Sequence, residues 1–412
     1  MRSLAVYLKS YTIESILAPL FKLLEVVFDL LVPIVVARMI DVGIANNDRR
    51  YIWGCFGVLL LMAALGLLCS ITAQYFAAKA SVGFAANLRQ AVFDHIQSLS
   101  FTELDTLGSD TMITRLTDDI NQVQNGVNMG LRLLLRSPFV VFGAMIMAFT
   151  IDVKCALVYA VTIPVLFAVV FAIMLVSIPL FKKVQAGLDR VTGMTRENLT
   201  GVRVIRAFCR EEQSVEEFEQ SNRELTRLNE FVGRISALLN PVTYVLINLA
   251  AVFVIDRAAV QVNIGSIAQG DVVALYNYML QIIVELIKLA SLIITLNKSV
   301  ACAGRVAGVL AVEPSMSYPA VSSATDKPAP DSAAVRFDHV SFTYKNAGAP
   351  SLTDVSFAAA RGETVGIIGG TGSGKSTLVS LIPRFYDASA GGVYVDGANV
   401  RDYTREALCG KI

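Results

Sequence analysis

The sequence predicts a multi-domain chain, an all-α six-helix transmembrane domain followed by a smaller α/β domain of the P-loop NTPase type. Three observations predict it. Of the 412 residues, 54% are apolar and only 17% charged, against about 25% charged in an average soluble domain. Long apolar runs fill the first three quarters of the chain, giving a mean hydropathy of +0.58, and then stop. Beyond them, short strand-like segments surround a glycine-rich stretch, Gly369–Thr377, of the form G-x-x-x-x-G-K-[ST].

Six runs are long enough to cross a hydrocarbon core of about 30 Å, which takes about 20 helical residues. They are Ile16 to Ile40, Ile52 to Ala77, Leu133 to Ile151, Cys155 to Phe181, Ile235 to Ile255 and Val272 to Leu296. The intervening segments alternate short and long: brief turns near Asn46-Asn47, Asp152 and Gln261, but more than fifty residues in each of Lys79 to Arg132 and Lys182 to Arg234. Lys and Arg outside or at the edges of the spans number 19 on the side of the termini and long segments, with Arg132 and Arg136 among them, and 4 in the short turns. Cytoplasmic flanks carry such an excess, so both termini and both long segments are placed in the cytoplasm. The first run follows Arg2 and Lys9 without a small-residue cleavage site and reads as a retained helix. The chain is thus expected to be a multi-pass integral protein of the plasma membrane, with the lipid bilayer as its first partner.

The long segments keep helical periodicity and hold no proline, so the membrane helices are expected to continue into the cytosol, with bends near Leu104 to Asp110 and Arg210 to Glu217. Solvated helical hairpins without a partner are the alternative. Residues 311–334 are rich in Pro, Ser and Ala and read as a linker. This divides the chain into a membrane domain, 1–310, the linker, and an α/β part, 335–412. Its expected strands are Val335 to Phe342, Leu352 to Ala358, Glu363 to Ile368 and Gly392 to Asp396.

Composition excludes several functions. Lys plus Arg (35) nearly cancels Asp plus Glu (34), leaving no basic field to hold nucleic acid. The six cysteines are scattered without a C-x-x-C pair, and two histidines are too few for a zinc site or a His-based triad. Chemistry concentrates instead in the stretch Gly369, Gly370, Thr371, Gly372, Ser373, Gly374, Lys375, Ser376, Thr377. Glycines permit the positive backbone angles that turn successive N–H groups toward a phosphate chain, and a following helix, Lys375 to Ile382, offers its positive end. Lys375 would neutralise β and γ phosphates and Ser376 would ligate Mg²⁺.

With this loop following six spans, the sequence resembles an ATP-binding cassette (ABC) exporter half-transporter over essentially its whole length. The stretch Arg196–Phe208 (RENLTGVRVIRAF) is similar to the family's segment before the second coupling helix, and Ile113–Asp119 (ITRLTDD) to that after the first. The resemblance implies an exporter fold with an incomplete P-loop NTPase domain, with ATP and Mg²⁺ as cofactors. It assigns Tyr344, in VSFTY, to the aromatic position that stacks on adenine, where an ordinary strand aromatic is the alternative. It further implies a second half-transporter in a homo- or heterodimer, coupling helices seated in the nucleotide-binding domains, and a small-molecule, lipid or peptide substrate. The signature Leu-Ser-Gly-Gly-Gln, a magnesium-binding Asp, a catalytic Glu and a switch His do not occur after the loop, so no catalytic residue is assigned. The other reading is a non-catalytic membrane subunit that at most binds nucleotide weakly; a soluble kinase or GTPase does not account for the spans.

Ionisable residues inside spans point to a second site. Lys22, Glu25 and Asp29 share a face of the first span, and Gln281, Glu285 and Lys288 lie close in angle on the last. Such groups face a protein interior or water, so they either line a translocation cavity or pair with one another.

Overall fold

In lipid every backbone polar group must be satisfied within its own segment, which makes long apolar runs helical. The computed structural model describes residues 4–322 and 333–412.

 About 76% of the described residues are helical. The helices in order are α1 (Thr12–Arg38), α2 (Arg49–Ser98), α3 (Phe101–Leu107), α4 (Ser109–Thr114), α5 (Ile120–Leu133), α6 (Arg136–Ile151), α7 (Val153–Thr200), α8 (Val202–Ala207), α9 (Glu211–Ala237), α10 (Leu239–Ile264) and α11 (Gln269–Leu310). The C-terminal part adds β1 (Val335–Phe342), β2 (Leu352–Ala359), α12 (Lys375–Leu381), β3 (Ala390–Val395), β4 (Ala398–Asn399) and α13 (Arg405–Cys409). Of the proposed linker, residues 323–332 lie outside the described residues, as do 1–3; the described part after Ala311 is irregular.

Among the described residues, five helical stretches are long and apolar enough to cross a membrane. The first expected span, on α1, is 27 residues long but carries Lys22, Glu25 and Asp29, which keeps it out of that set. The short turns are set by local chemistry. Asp48 caps α2 by accepting from the N–H groups of Arg50 (3.0 Å) and Tyr51 (3.1 Å), and Asp152 caps α7 by accepting from Cys155 N–H (2.8 Å). Gly265, at φ +79°, ends α10 in the left-handed conformation.

The chain forms two compact units. One comprises Tyr11–Ser81 and Gly126–Asn297. Its core joins α1, α6, α7, α10 and α11 through Val26, Leu30, Ala144, Tyr159, Val254 and Tyr278. Two buried tyrosines tie the helices: Tyr159 donates to the Leu275 carbonyl (2.5 Å) and Tyr278 to the Leu30 carbonyl (2.6 Å). At Gly143 α6 meets the tip of the Leu30 side chain on α1, which a Cβ would press at 2.5 Å.

The other unit comprises the residues up to Ser10, Val82–Asn125 and Lys298–Ile412. Its sheet has the order β2-β1-β3-β4 with every pairing antiparallel. Phe337 sits opposite both Phe357 and Val393, and the inner face packs Phe337, Val340, Leu352, Leu378, Leu381 and Val393 together. In the helical part Asp119, buried, accepts from Arg115 Nη1 (2.7 Å) and Arg305 Nε (3.0 Å), joining α11 to the turn before α5.

Three expectations are corrected. Glu363 to Ile368 forms no strand: residues 363–370 pair with no other segment, and Ile368 is 95% exposed. A strand exists only through its ladder, and among the described residues none runs beside this one. The second bend lies earlier than Arg210 to Glu217. Gly201 ends α7, the short α8 follows, and 211–217 already belong to α9. Charge made those glutamates look like a bend, whereas they are the exposed first turns of a helix, where acidic groups are favoured. Finally β4 and α13 were not expected; α13 is only five residues long, too short for periodicity to reveal, yet Leu408 on it is fully buried.

Candidate functional site

The phosphate-loop residues run from the end of the unpaired segment 363–370 into the start of α12. Gly372 and Gly374 have φ of +83° and +84°, a conformation that costs other residues but not glycine. Gly374 is doubly constrained, since a Cβ there would meet the Ser351 carbonyl oxygen at 2.7 Å. Lys375 and Ser376 open α12, and their N–H groups have no intrahelical acceptor. The Lys375 ammonium folds over its own loop, donating to the carbonyls of Gly369 (2.9 Å) and Gly370 (2.7 Å). Ser376 is exposed and Thr377 buried. The loop therefore gathers a cation and outward N–H groups, the donor set that suits a phosphate chain. Among the described residues no cluster of three or more His, Cys, Asp or Glu could hold a metal ion.

Tyr344 falls just past β1. Its hydroxyl shares a hydrogen bond with Thr377 Oγ1 (3.0 Å), which brings it to the loop. Its ring meets Phe342 and Tyr386 edge-on, with centroids 4.8 and 5.3 Å apart. Tyr386 extends the cluster to α3: its hydroxyl donates to Asp105 (2.5 Å), and the neighbouring Phe385 packs on Phe101 at 4.5 Å. Burial, then the Asp105 acceptor and its charge, push the Tyr386 phenol above its ordinary value, so it stays a donor. A cavity of about 660 Å³ beside Tyr344 is lined by Thr102, Asp105, Met316, Lys345 and Tyr386. Next to it, burial alone would raise the Asp387 carboxyl, but Arg384, donating from Nε (2.8 Å) and Nη2 (3.1 Å), and the charge of Arg401 hold it below the usual range.

The second set of residues converges in the membrane unit. Lys22 pairs with Glu25 (2.5 Å) and donates to Ser70 Oγ (3.2 Å). Glu285 accepts from Lys288 (2.9 Å) and Ser137 (3.1 Å), and Gln281 donates to the Asp29 carbonyl (3.3 Å). The centre of the network is a residue that sequence reasoning missed. Arg136 reaches Glu285 (2.8 Å), Asp29 (3.2 Å) and Glu25 (3.8 Å). Counting it as a cytoplasmic flank hid it; the available signal was its position inside the third apolar run, opposite three carboxylates in two others. These residues pair with one another, and Asp29, Arg136, Gln281, Glu285 and Lys288 also line a cavity of about 510 Å³ with Pro33. Lys22 and Glu25 stand apart from the cavity that the other four sequence-predicted residues help to line.

Comparison with known proteins supplies the wider context. Residues 15–286 match the model of the ABC transporter transmembrane region, and 352–412 match that of the ABC transporter family. An uncharacterized ABC transporter ATP-binding protein of Mycobacterium tuberculosis is 34% identical over 395 residues, covering 94% of this chain and 66% of the relative. YfiB of Bacillus subtilis, an uncharacterized ABC transporter ATP-binding protein, is 32% identical over 98% of this chain and 69% of its own length. A further B. subtilis protein, YgaD, named for multidrug export as an ATP-binding/permease protein, is 29% identical over 92% of this chain and 65% of its own. The chain thus spans about two thirds of the length of these relatives.

Proposed function

Because the chain belongs to the ABC transporter family, we propose that it is a subunit of an ATP-driven exporter that moves its substrate by alternating access. The observation that carries the reading is the contact chain within one unit: the phosphate loop meets Tyr344 at Thr377, Tyr344 packs on Tyr386, and Tyr386 is bonded to Asp105 on α3. The loop is thereby linked to α3, the short helix that follows the long helix α2 in sequence.

Gly369–Thr377 would hold the phosphates, with Lys375 exchanging the carbonyls of Gly369 and Gly370 for phosphate oxygens and Ser376 contributing to Mg²⁺. Tyr344 would stack on adenine while Thr377 fixes its hydroxyl. When bound, ATP supplies a difference in affinity between inward and outward states, the only way a ligand shifts such an equilibrium. A second half-transporter would cover α8, whose flanks Leu199 and Phe208 are each 72% exposed outside the apolar spans. The charged cavity around Arg136 would face the substrate.

Binding of a fluorescent ATP analogue to the 412-residue chain in detergent tests the reading, with Lys375→Ala expected to weaken it at least about tenfold. Unchanged binding would overturn the assignment of the loop. A second reading, a subunit that binds nucleotide without hydrolysing it, is favoured by the unpaired, exposed segment leading into the loop. Phosphate release above the level of the Lys375→Ala variant would exclude it.

A further inference from the structure

Between α7 and α10, on the membrane unit, runs a groove of about 510 Å³ that nothing above explains. Its floor is buried Leu166 and Ala250, and its walls are exposed aliphatic and aromatic side chains, among them Val161, Leu249 and Phe253. Two cations complete the lining, Lys154 and Arg257. Lys154 lies at the start of α7 and Arg257 two turns before the end of α10. Both of those helix ends belong to short turns, so both cations sit toward the non-cytoplasmic side. The neighbouring carboxylate of Asp152 is engaged as the α7 cap.

We propose that this groove binds one anionic phospholipid of the outer leaflet, its acyl chain along the apolar floor and its phosphate between Lys154 and Arg257. Length and charge carry the choice of occupant. From Lys154 to Leu166, or from Leu246 to Arg257, the lining runs about 16–18 Å at about 1.5 Å per residue, close to half of the about 30 Å hydrocarbon thickness. The groove is therefore one leaflet deep, with its cations at headgroup height. Long cationic side chains with apolar stems suit that position, since the stem lies along the groove and the charge reaches the interface. A zwitterionic lipid fills the same apolar volume but gains less from two cations. The proposal rests on the membrane placement of the chain and is independent of export.

Native mass spectrometry of the 412-residue chain, titrated in detergent with palmitoyl-oleoyl phosphatidylglycerol or phosphatidylcholine, tests it. Phosphatidylglycerol adducts are expected to exceed phosphatidylcholine adducts about tenfold. In Lys154→Gln/Arg257→Gln the preference should fall to near parity, while Lys154→Arg/Arg257→Lys keeps it and so separates charge from folding. Ala250→Phe, filling the floor, should remove the adducts of both lipids at unchanged helicity. Equal adducts with the unaltered chain, or an undiminished preference in the Gln variant, would overturn the proposal. So would comparable adducts with glycerol phosphate, which mark a free-anion site, or a dimer that excludes lipid and dissociates with Ala250→Phe, which marks a second copy as the occupant.

Discussion

The guanidinium of Arg136 serves Glu25, Asp29 and Glu285 at once, and Glu285 is itself held by Ser137 and Lys288. Removing Arg136 leaves Glu285 charged and buried, a cost of about 3–5 kcal/mol, whereas removing that pair together costs less. Arg136→Gln and Glu285→Gln are therefore each expected to lower the thermal midpoint in detergent, and the double variant to lower it by much less than the sum of the two, close to either single one. Strict additivity would show that the two do not interact. A second expectation concerns acid. Asp387 is held below its ordinary value, so its contribution to stability is full above the unfolded carboxylate value of about 3.9 and is lost as pH falls through the lower folded one. Hydrogen exchange in the cassette part should accelerate below about pH 4, and Asp387→Asn should flatten that limb.

At the scale of elements, α3 is seven residues long, too short to be stable alone, and depends on what it touches. Phe101 against Phe385 and Asp105 against Tyr386 are its anchors. Tyr386→Phe should cost about 1 kcal/mol and Phe101→Ala more, read as faster exchange of the Phe101–Leu107 amides with the long helices unaffected. These short elements also mark the limit of what was legible in the sequence. The long helices were readable because an apolar run and a 3.6-residue period repeat the same message many times, and the loop because glycines, Lys375 and Ser376 stand at fixed spacing. The bend at α8 was placed too late because the Glu-rich start of α9 carries the local signal of a turn without being one. Of the expected site, Tyr344 and Thr377 do meet, but Arg136 was invisible while each apolar run was read alone, since its role exists only across helices.

For the whole molecule, the decisive contrast is between segments closed by their own hydrogen bonds and one that is not. Helices satisfy their backbone internally, whereas Glu363–Gly370 is irregular and has no strand partner among the described residues. Limited proteolysis of the full chain should therefore cut in 363–372 before any long helix, and added ATP should slow the cut if the loop binds it. A strand there was a fair expectation from Val365, Ile367 and Ile368, and failed because pairing is a property of neighbours, not of composition. The same dependence on distant partners reaches back to the beginning of the chain's life. Lys22, Glu25 and Asp29 make α1 a poor passenger into lipid, and the Asp29 counter-ion, Arg136, is 107 residues downstream. While the ribosome is still making that stretch, α1 has no Arg136 to meet. Nascent chains arrested before residue 136 should then leave a cysteine introduced into α1 open to a water-soluble thiol reagent, and longer ones should shield it, so the first helix to be synthesised is not the first to be committed to the membrane.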